Sequence, residues 1–220
     1  MRHHQPWKNS EGHTMKDRIM IIGAGGHGKV VADIAKQNGY KEILFLDDDI
    51  SRKTNGRYQV VGTGNDIDRY KEKYDFFVAV GDNDTREKIT VKLSEMNIEQ
   101  PILIHPSATV DETVKIGEGV VIMANAVINA DSKIGRGCII NTSATVDHDC
   151  IIDDYVHISP GAHIAGGVQI GKKAWIGVGS TIINNVSICE KCIVGAGSVV
   201  IKDIAEYGTY VGSPIRKVIR

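Results

Sequence analysis

A histidine flanked by two aspartates is the most chemically suggestive short segment of the sequence. His148 lies between Asp147 and Asp149, inside a run of small and aliphatic residues. Histidine titrates near neutral pH and takes a proton from an attacking amine or hydroxyl, and a neighbouring carboxylate fixes the ring tautomer and raises its basicity. The segment indicates a general base supported by one of the two aspartates. A metal site and a solvated turn are the alternatives.

A glycine-rich segment, GAGGHG at residues 23–28, is the second candidate for chemistry. It fits the pattern G-x-G-x-x-G at Gly23, Gly25 and Gly28, and Asp47 follows about twenty residues later. Taken alone, this pattern is typical of a dinucleotide site. A glycine turn with a purely structural role is the other interpretation.

The elements around the glycine segment alternate between strands and helices. Apolar runs predict strands at residues 18–22, 42–46 and 75–81, and helical spacing predicts helices at 29–37, 65–73 and 85–96. This alternation predicts a small Rossmann-like α/β domain with a parallel sheet over residues 15–103. Such a domain is about half of a full dinucleotide-binding fold. Residues 1–14 are polar and without pattern, so we interpret them as a disordered leader or tag.

A strict six-residue period replaces this alternation over residues 104–220. Every sixth residue from Ile104 to Val200 is Ile or Val, and small or β-branched residues stand four positions after each of them. This period is the hexapeptide signature of a parallel β-helix, with a C-terminal cap after the last repeat. Cys138, Cys150 and Cys192 hold the small positions, which predicts inert core thiols.

Three hexads make one triangular coil, so equivalent positions recur every 18 residues. Position 148 falls in a corner turn that points outward, and position 166 lies directly above it in the next coil. Residue 166 is Gly166, which lets a ligand approach its backbone N–H closely. The period therefore predicts that His148 and Gly166 are neighbours.

Composition excludes several classes of function. The net charge is −1, which gives no electrostatic reason to expect nucleic acid as a partner. No apolar run is long enough for a transmembrane helix, so we expect no membrane insertion. The four cysteines without a secretion signal favour reduced thiols and a cytoplasmic location. The pair Cys189 and Cys192 could form half a zinc site or a redox pair, but no second pair completes a zinc site.

Both halves together resemble the bacterial hexapeptide acyltransferases that acetylate nucleotide-linked amino sugars, such as bacillosamine N-acetyltransferases and sialic acid O-acetyltransferases. The resemblance rests on the segments IIGAGGHGKVVADIA, ILFLDDD, DFFVAVGDND, LIHPSA, NTSATVDHDC, HISPGAHIAGGV and GTYVGSPIRKV. It implies a left-handed β-helix and a homotrimer that binds acetyl-CoA between neighbouring subunits. It also implies that the N-terminal domain binds a sugar nucleotide.

The resemblance further implies a role for individual residues. Relatives often carry Glu directly after the histidine that matches His148, so Asp149 becomes the first candidate partner and Asp147 the second. Gly166 matches the oxyanion donor of the family. The positions that match acetyl-CoA contacts are His157, Gly166, Val178 and Ala196. The positions that match sugar-nucleotide contacts are Gly25, Gly26, His27, Asp47, Asp48 and Asn83, of which the first three present backbone N–H groups to a diphosphate.

The expected function is an acetyl-CoA-dependent N-acetyltransferase for glycan biosynthesis. Its expected acceptor is the 4-amino group of a nucleotide-linked 4-amino-4,6-dideoxyhexose, with UDP as the expected nucleotide. An O-acetyltransferase acting on sialic acid or an exopolysaccharide sugar is the first alternative, and a non-catalytic sugar-nucleotide-binding trimer is the second. A zinc carbonic anhydrase is the third, but His148, His157 and His163 do not reproduce its ligand spacing, so we expect no metal.

Overall fold

The computed structural model describes residues 16–219, and the chain divides into two compact units, residues 1–106 and 107–220. The leader predicted at residues 1–14 lies outside the described residues. No helix in the described part is long and apolar enough to cross a membrane.

The first unit is an α/β domain. Its strands are β1 (Arg18–Ile22), β2 (Glu42–Leu46), β3 (Thr54–Asn55), β4 (Tyr58–Gly62), β5 (Asp75–Val78) and β6 (Leu103–Ile104), and its helices are α1 (Gly26–Gln37), α2 (Ile67–Tyr70) and α3 (Asn83–Glu95). The main sheet has the order β3-β4-β2-β1-β5, in which β1 is parallel to both β2 and β5. The predicted strands and helices are present, although α1 begins three residues earlier than predicted and α2 is shorter.

The sequence analysis missed the β3–β4 hairpin, in which the two strands are antiparallel. Its signal is the pair Asn55–Gly56, a common two-residue hairpin turn, and Gly56 has a φ of +60°. The hairpin extends the sheet beyond β2. One result is that the Asn55 amide donates a hydrogen bond of 3.0 Å to the carbonyl of Gly25, in the glycine segment.

The second unit is a three-sided parallel β-helix. Its short strands are β7 (Thr109–Val110), β8 (Lys115–Ile116), β9 (Val121–Ile122), β10 (Val127–Ile128), β11 (Lys133–Ile134), β12 (Ile139–Ile140), β13 (Thr145–Val146), β14 (Ile151–Ile152), β15 (His157–Ile158), β16 (His163–Ile164), β17 (Gln169–Ile170), β18 (Trp175–Ile176), β19 (Thr181–Ile182), β20 (Ser187–Ile188), β21 (Ile193–Val194), β22 (Val199–Val200), β23 (Thr209–Val211) and β24 (Arg216–Lys217). Strands β7 to β22 each end on an aliphatic residue of the six-residue repeat. Every third strand joins the same sheet, as in the order β22-β19-β16-β13-β10-β7.

The register of these sheets confirms the predicted 18-residue coil. Ile128 pairs with Val146, and Val146 pairs with Ile164. The predicted core thiols are fully buried, because Cys138, Cys150 and Cys192 are all 0% exposed. The remaining thiol, Cys189, places its sulfur 2.9 Å from that of Cys192.

Candidate active site

The ring of His148 is held by one of the two flanking aspartates. Its Nδ1 atom lies 2.7 Å from Oδ2 of Asp149. A carboxylate only accepts hydrogen bonds, so the neutral ring carries its proton on Nδ1 and leaves Nε2 as a free acceptor. Both side chains are more than half exposed, at 62% for His148 and 65% for Asp149. The geometry is that of a base which can take a proton at Nε2 from a molecule arriving from outside.

Asp147 serves the backbone rather than the ring. Its Oδ1 atom accepts a hydrogen bond of 2.9 Å from the backbone N–H of His148 and another of 2.9 Å from the Asn129 amide, one coil below. The hydroxyl of Ser132 also donates to the Asp147 carbonyl at 2.7 Å. Asp147 therefore fixes the corner on which the histidine stands, while Asp149 orients its ring.

Both carboxylates make His148 more basic. The pKa of His148 is raised above its ordinary value chiefly by the hydrogen bond from Asp149, and the negative charges of Asp147 and Asp149 add to this effect. The pKa of Asp147 is lowered, first by the Asn129 hydrogen bond and then by that from the His148 N–H. Asp147 thus stays ionised while the histidine gains and loses a proton.

Asp149→Asn should lower the pKa of His148, because it removes the largest cause of the upward shift. A general base acts in its neutral form, so activity appears as pH rises through this pKa. In Asp149→Asn the rise in kcat/KM should therefore move to lower pH, with a lower plateau because the ring loses its orienting acceptor. The measurement is the pH profile of kcat/KM, together with an NMR titration of the ring.

Asp147→Asn is the matched control for this experiment. It keeps an oxygen for the His148 N–H and leaves the bond to Asp149 intact, so it should move the profile less than Asp149→Asn does. A larger shift in the Asp147 variant would show that the wrong aspartate has been assigned to the ring.

Gly166 lies directly beneath the histidine ring, as the 18-residue spacing predicts. A Cβ atom built on Gly166 would be 2.6 Å from both Cε1 and Nε2 of His148, so a side chain here would collide with the ring. Gly166 is buried, and within residues 16–219 its N–H has no hydrogen-bond acceptor. Because buried N–H groups are nearly always paired, this one is suited to an oxygen of a bound molecule.

The three other residues expected to contact acetyl-CoA lie on the same β-helix. Val178 and Ala196 are exposed corner residues of successive coils, joined by the bond from the Gly197 N–H to the Val178 carbonyl at 2.8 Å. His157 is only 8% exposed, since its ring stacks on Trp175 with centroids 5.2 Å apart. The contacts of these residues with acetyl-CoA stay a prediction.

The glycine segment of the first unit forms a tight turn between β1 and α1. Gly23 has a φ of +107°, and a Cβ on Gly28 would collide with the Gly23 carbonyl oxygen, so both positions require glycine. Gly25 precedes α1 and Gly26 is its first residue. Open space surrounds Gly26, where a Cβ would meet nothing within 4 Å. The turn therefore exposes the N-terminus of α1, which favours an anionic group.

His27, in the first turn of α1, belongs to a buried polar cluster. Burial, and then the charge of Arg86, lower the pKa of His27 to about 4, so the ring is neutral at physiological pH. Its Nε2 atom is buried and, among the described residues, has no hydrogen-bond partner. Arg86 is 1% exposed and donates to Oδ1 of Asn83 at 2.7 Å. The predicted residues His27 and Asn83 are thus linked through an arginine that the sequence analysis missed.

The two predicted aspartates follow β2 and hold the loops of this region. Asp47 accepts hydrogen bonds from the N–H of Ala24 at 2.6 Å and from the N–H of Asp49 at 2.9 Å. Asp48 accepts from the N–H of Gly64 at 2.9 Å. Asp47 therefore ties the glycine turn to the end of β2, and a contact with a nucleoside stays a prediction for both aspartates.

Within residues 16–219, no group of three or more His, Cys, Asp and Glu side chains is arranged to hold a metal ion. The Cys189 and Cys192 pair lacks further ligands of this kind. Neither observation points to a metal in the described part of the chain.

Comparison with known protein families assigns both units. The PglD N-terminal domain family matches residues 18–93, and the bacterial transferase hexapeptide family matches residues 113–148 and 131–166. The acetyltransferase domain of PglB from Neisseria gonorrhoeae is 41% identical, with a TM-score of 0.89, and the match covers 92% of this chain and 100% of that domain. This chain belongs to the hexapeptide-repeat acetyltransferases with a PglD N-terminal domain.

Further members of this acetyltransferase family are equally informative. A histidine variant of the perosamine N-acetyltransferase from Caulobacter crescentus, solved with CoA and GDP-perosamine, is 39% identical with a TM-score of 0.89, over 92% of this chain and 97% of that one. The UDP-N-acetylbacillosamine N-acetyltransferase of Bacillus subtilis is 38% identical over 105 residues, which are 46% of this chain and 49% of that protein. The chain thus aligns with about half the length of this curated relative. These matches confirm the resemblance and the left-handed β-helix expected from it.

Proposed function

We propose that this protein is an acetyl-CoA-dependent N-acetyltransferase acting on the 4-amino group of a nucleotide-linked 4-amino-4,6-dideoxyhexose. The observation that carries the proposal is the corner where His148, oriented by Asp149, lies against the unpaired N–H of Gly166. The relatives support the substrate class, because the Neisseria domain has been solved with acetyl coenzyme A and the Caulobacter enzyme with CoA and GDP-perosamine.

The proposed reaction is a direct transfer of the acetyl group. Nε2 of His148 removes a proton from the sugar amine as the amine nitrogen attacks the thioester carbonyl carbon. The carbonyl oxygen becomes negatively charged, and the Gly166 N–H stabilises it as a fixed donor. The C–S bond then breaks, and the thiolate of CoA receives the proton held by His148. The products are the N-acetylated sugar nucleotide and free CoA, and neither a metal nor an acyl-enzyme is required.

Each unit has a separate binding role in this proposal. In the first unit, Gly25, Gly26 and His27 present backbone N–H groups to the diphosphate, while Asp47, Asp48 and Asn83 surround the nucleotide sugar. In the second unit, His157, Val178 and Ala196 contact acetyl-CoA beside Gly166. We further propose a homotrimer, with acetyl-CoA held between neighbouring β-helices, and a cytoplasmic location where acetyl-CoA is made.

An acetyl-CoA consumption assay tests the proposal directly. The full chain is incubated with acetyl-CoA and a panel of UDP-, GDP-, dTDP- and CMP-linked sugars that includes 4-amino-4,6-dideoxyhexoses and CMP-sialic acid. We expect CoA release with a 4-amino sugar only, and mass spectrometry should locate the acetyl group on nitrogen. Acetylation of a hydroxyl would replace the proposal with the O-acetyltransferase alternative, while binding without turnover would favour the non-catalytic trimer.

Asp47→Ala should raise the KM for the sugar nucleotide by roughly tenfold, in keeping with the loss of about one charge-assisted hydrogen bond in the turn. The reason is that Asp47 holds the Ala24 N–H and so fixes the glycine segment. The KM for acetyl-CoA should stay unchanged, and initial rates with either substrate varied measure both constants. Asp17→Ala, which removes an exposed carboxylate of the same unit, is the control. An increase confined to the KM for acetyl-CoA would refute the assignment.

A further inference from the structure

The residue before Gly166 has a part in the proposed reaction that comes from what its side chain lacks. We propose that Ala165 is a positioning residue, because a side chain without an acceptor leaves the Gly166 N–H unpaired for the thioester oxygen. This inference rests on the proposed function. It adds a requirement at a position outside the residues expected to touch either substrate.

Other corners of the same β-helix show what an acceptor at this position does. Asn141, Asp147 and Asp153 each stand one residue before a corner residue. Their side-chain oxygens accept hydrogen bonds from the next N–H at 2.8, 2.9 and 2.8 Å, respectively. An Asp or Asn in this place therefore occupies the N–H that follows it at all three corners.

Ala165 stands in the same backbone geometry as Asp147, one coil higher. The N–H of Asp147 bonds to the carbonyl of Ile164 at 2.9 Å, and the N–H of Ala165 bonds to the carbonyl of Ile182 at 3.1 Å. The two carbonyls are also held alike. The Ser132 hydroxyl donates to that of Asp147 at 2.7 Å, and the Cys150 thiol, 18 residues after Ser132, donates to that of Ala165 at 3.2 Å. Position 165 thus differs from 147 chiefly in its side chain.

The structure also shows that a larger side chain fits at position 165. The equivalent positions one coil below and one coil above hold Asp147 and Ile183, and Ile183 is 38% exposed. Ala165 itself is half-buried. The corner therefore has room for an acceptor, and alanine is not imposed by packing.

Ala165→Asn is the decisive variant. Its amide oxygen should accept the Gly166 N–H, as Asn141 does for the N–H of Thr142, and should remove one donor from the oxyanion. Loss of a single such donor costs roughly 10²-fold or more in kcat. We expect this loss in kcat with little change in the KM of either substrate. Ala165→Asp should lose at least as much, since its charge also repels the oxyanion.

Ala165→Leu is the matched control, because leucine has nearly the shape of asparagine but no acceptor. It should keep kcat within a few-fold of the unmodified chain. A crystal structure of the Ala165→Asn variant, without substrates, should show the introduced oxygen at about 2.9 Å from the Gly166 nitrogen. This readout does not depend on activity.

The outcomes separate the inference from the proposed function. If the unmodified chain transfers no acetyl group to any sugar nucleotide, the proposed function fails. If it does, but Ala165→Asn and Ala165→Leu lose activity equally, the role of Ala165 is merely steric and the inference is overturned. A kcat near that of the unmodified chain in Ala165→Asn, with the hydrogen bond seen in the crystal, overturns it as well.

Discussion

Replacement of His148 by alanine is expected to lower kcat by roughly 10²- to 10⁴-fold, the usual contribution of a positioned general base. The ring is the only group for which the corner provides both an orienting acceptor, Asp149, and a neighbouring N–H among the described residues, that of Gly166. The side chain is 62% exposed, and exposed ion pairs contribute little to stability. The fold should therefore survive the change.

The measurement is steady-state kinetics with both substrates, accompanied by thermal unfolding. His163→Ala is the matched control, since His163 is also exposed, lies one coil away and bonds only to the hydroxyl of Thr145 among the contacts of its ring, at 3.0 Å. We expect His163→Ala to keep its activity. Unchanged turnover in His148→Ala would remove this histidine from the mechanism.

Gly166→Ala is expected to lower kcat by roughly 10²- to 10³-fold, because it disturbs the base and the oxyanion donor together. The new Cβ would lie 2.6 Å from Nε2 of His148, so the ring must move away from its present position and from Asp149. The φ of Gly166 lies outside the left-handed region, so the backbone accepts alanine without strain. The cost should fall on catalysis more than on folding.

Kinetics and a crystal structure of the Gly166→Ala variant check this expectation, and the structure should show a displaced His148 ring. Gly161→Asn is the control, because a Cβ on Gly161 meets nothing within 4 Å. Its φ of +63° resembles that of Asn125 and Asn185, at +58° and +56°, so asparagine should fit there. Full activity in Gly166→Ala with the ring unmoved would contradict the proposed site.

The sequence predicts the β-helix and its main juxtaposition well, because a periodic fold converts sequence distance into spatial distance. Ile or Val at every sixth position gives the coil, and the coil length alone places Gly166 on His148. The α/β unit is predicted at the level of its central strands. The β3–β4 hairpin was missed because its strands are short and only partly apolar, although the Asn55–Gly56 turn signals it.

The choice between the two aspartates is where sequence reasoning stops. Asp147 and Asp149 are equally near His148 along the chain, and only the backbone conformation separates them. Asp149 has a φ of +58°, and its carboxylate meets Nδ1 of the ring. Asp147 is engaged by Asn129, which is distant in sequence. Arg86 was missed for a similar reason, because its burial beside Asn83 depends on how α3 packs.

The coil length has a consequence for how this chain tolerates insertions and deletions. Residues 149–165 are one residue short of a full turn, so adding or removing a single residue there would rotate every later corner away from the histidine below. A whole coil of 18 residues added elsewhere in the β-helix would leave this pair in place. Length variation among working homologues should therefore avoid the segment between His148 and Gly166, and whole coils should be the unit in which the β-helix grows or shrinks.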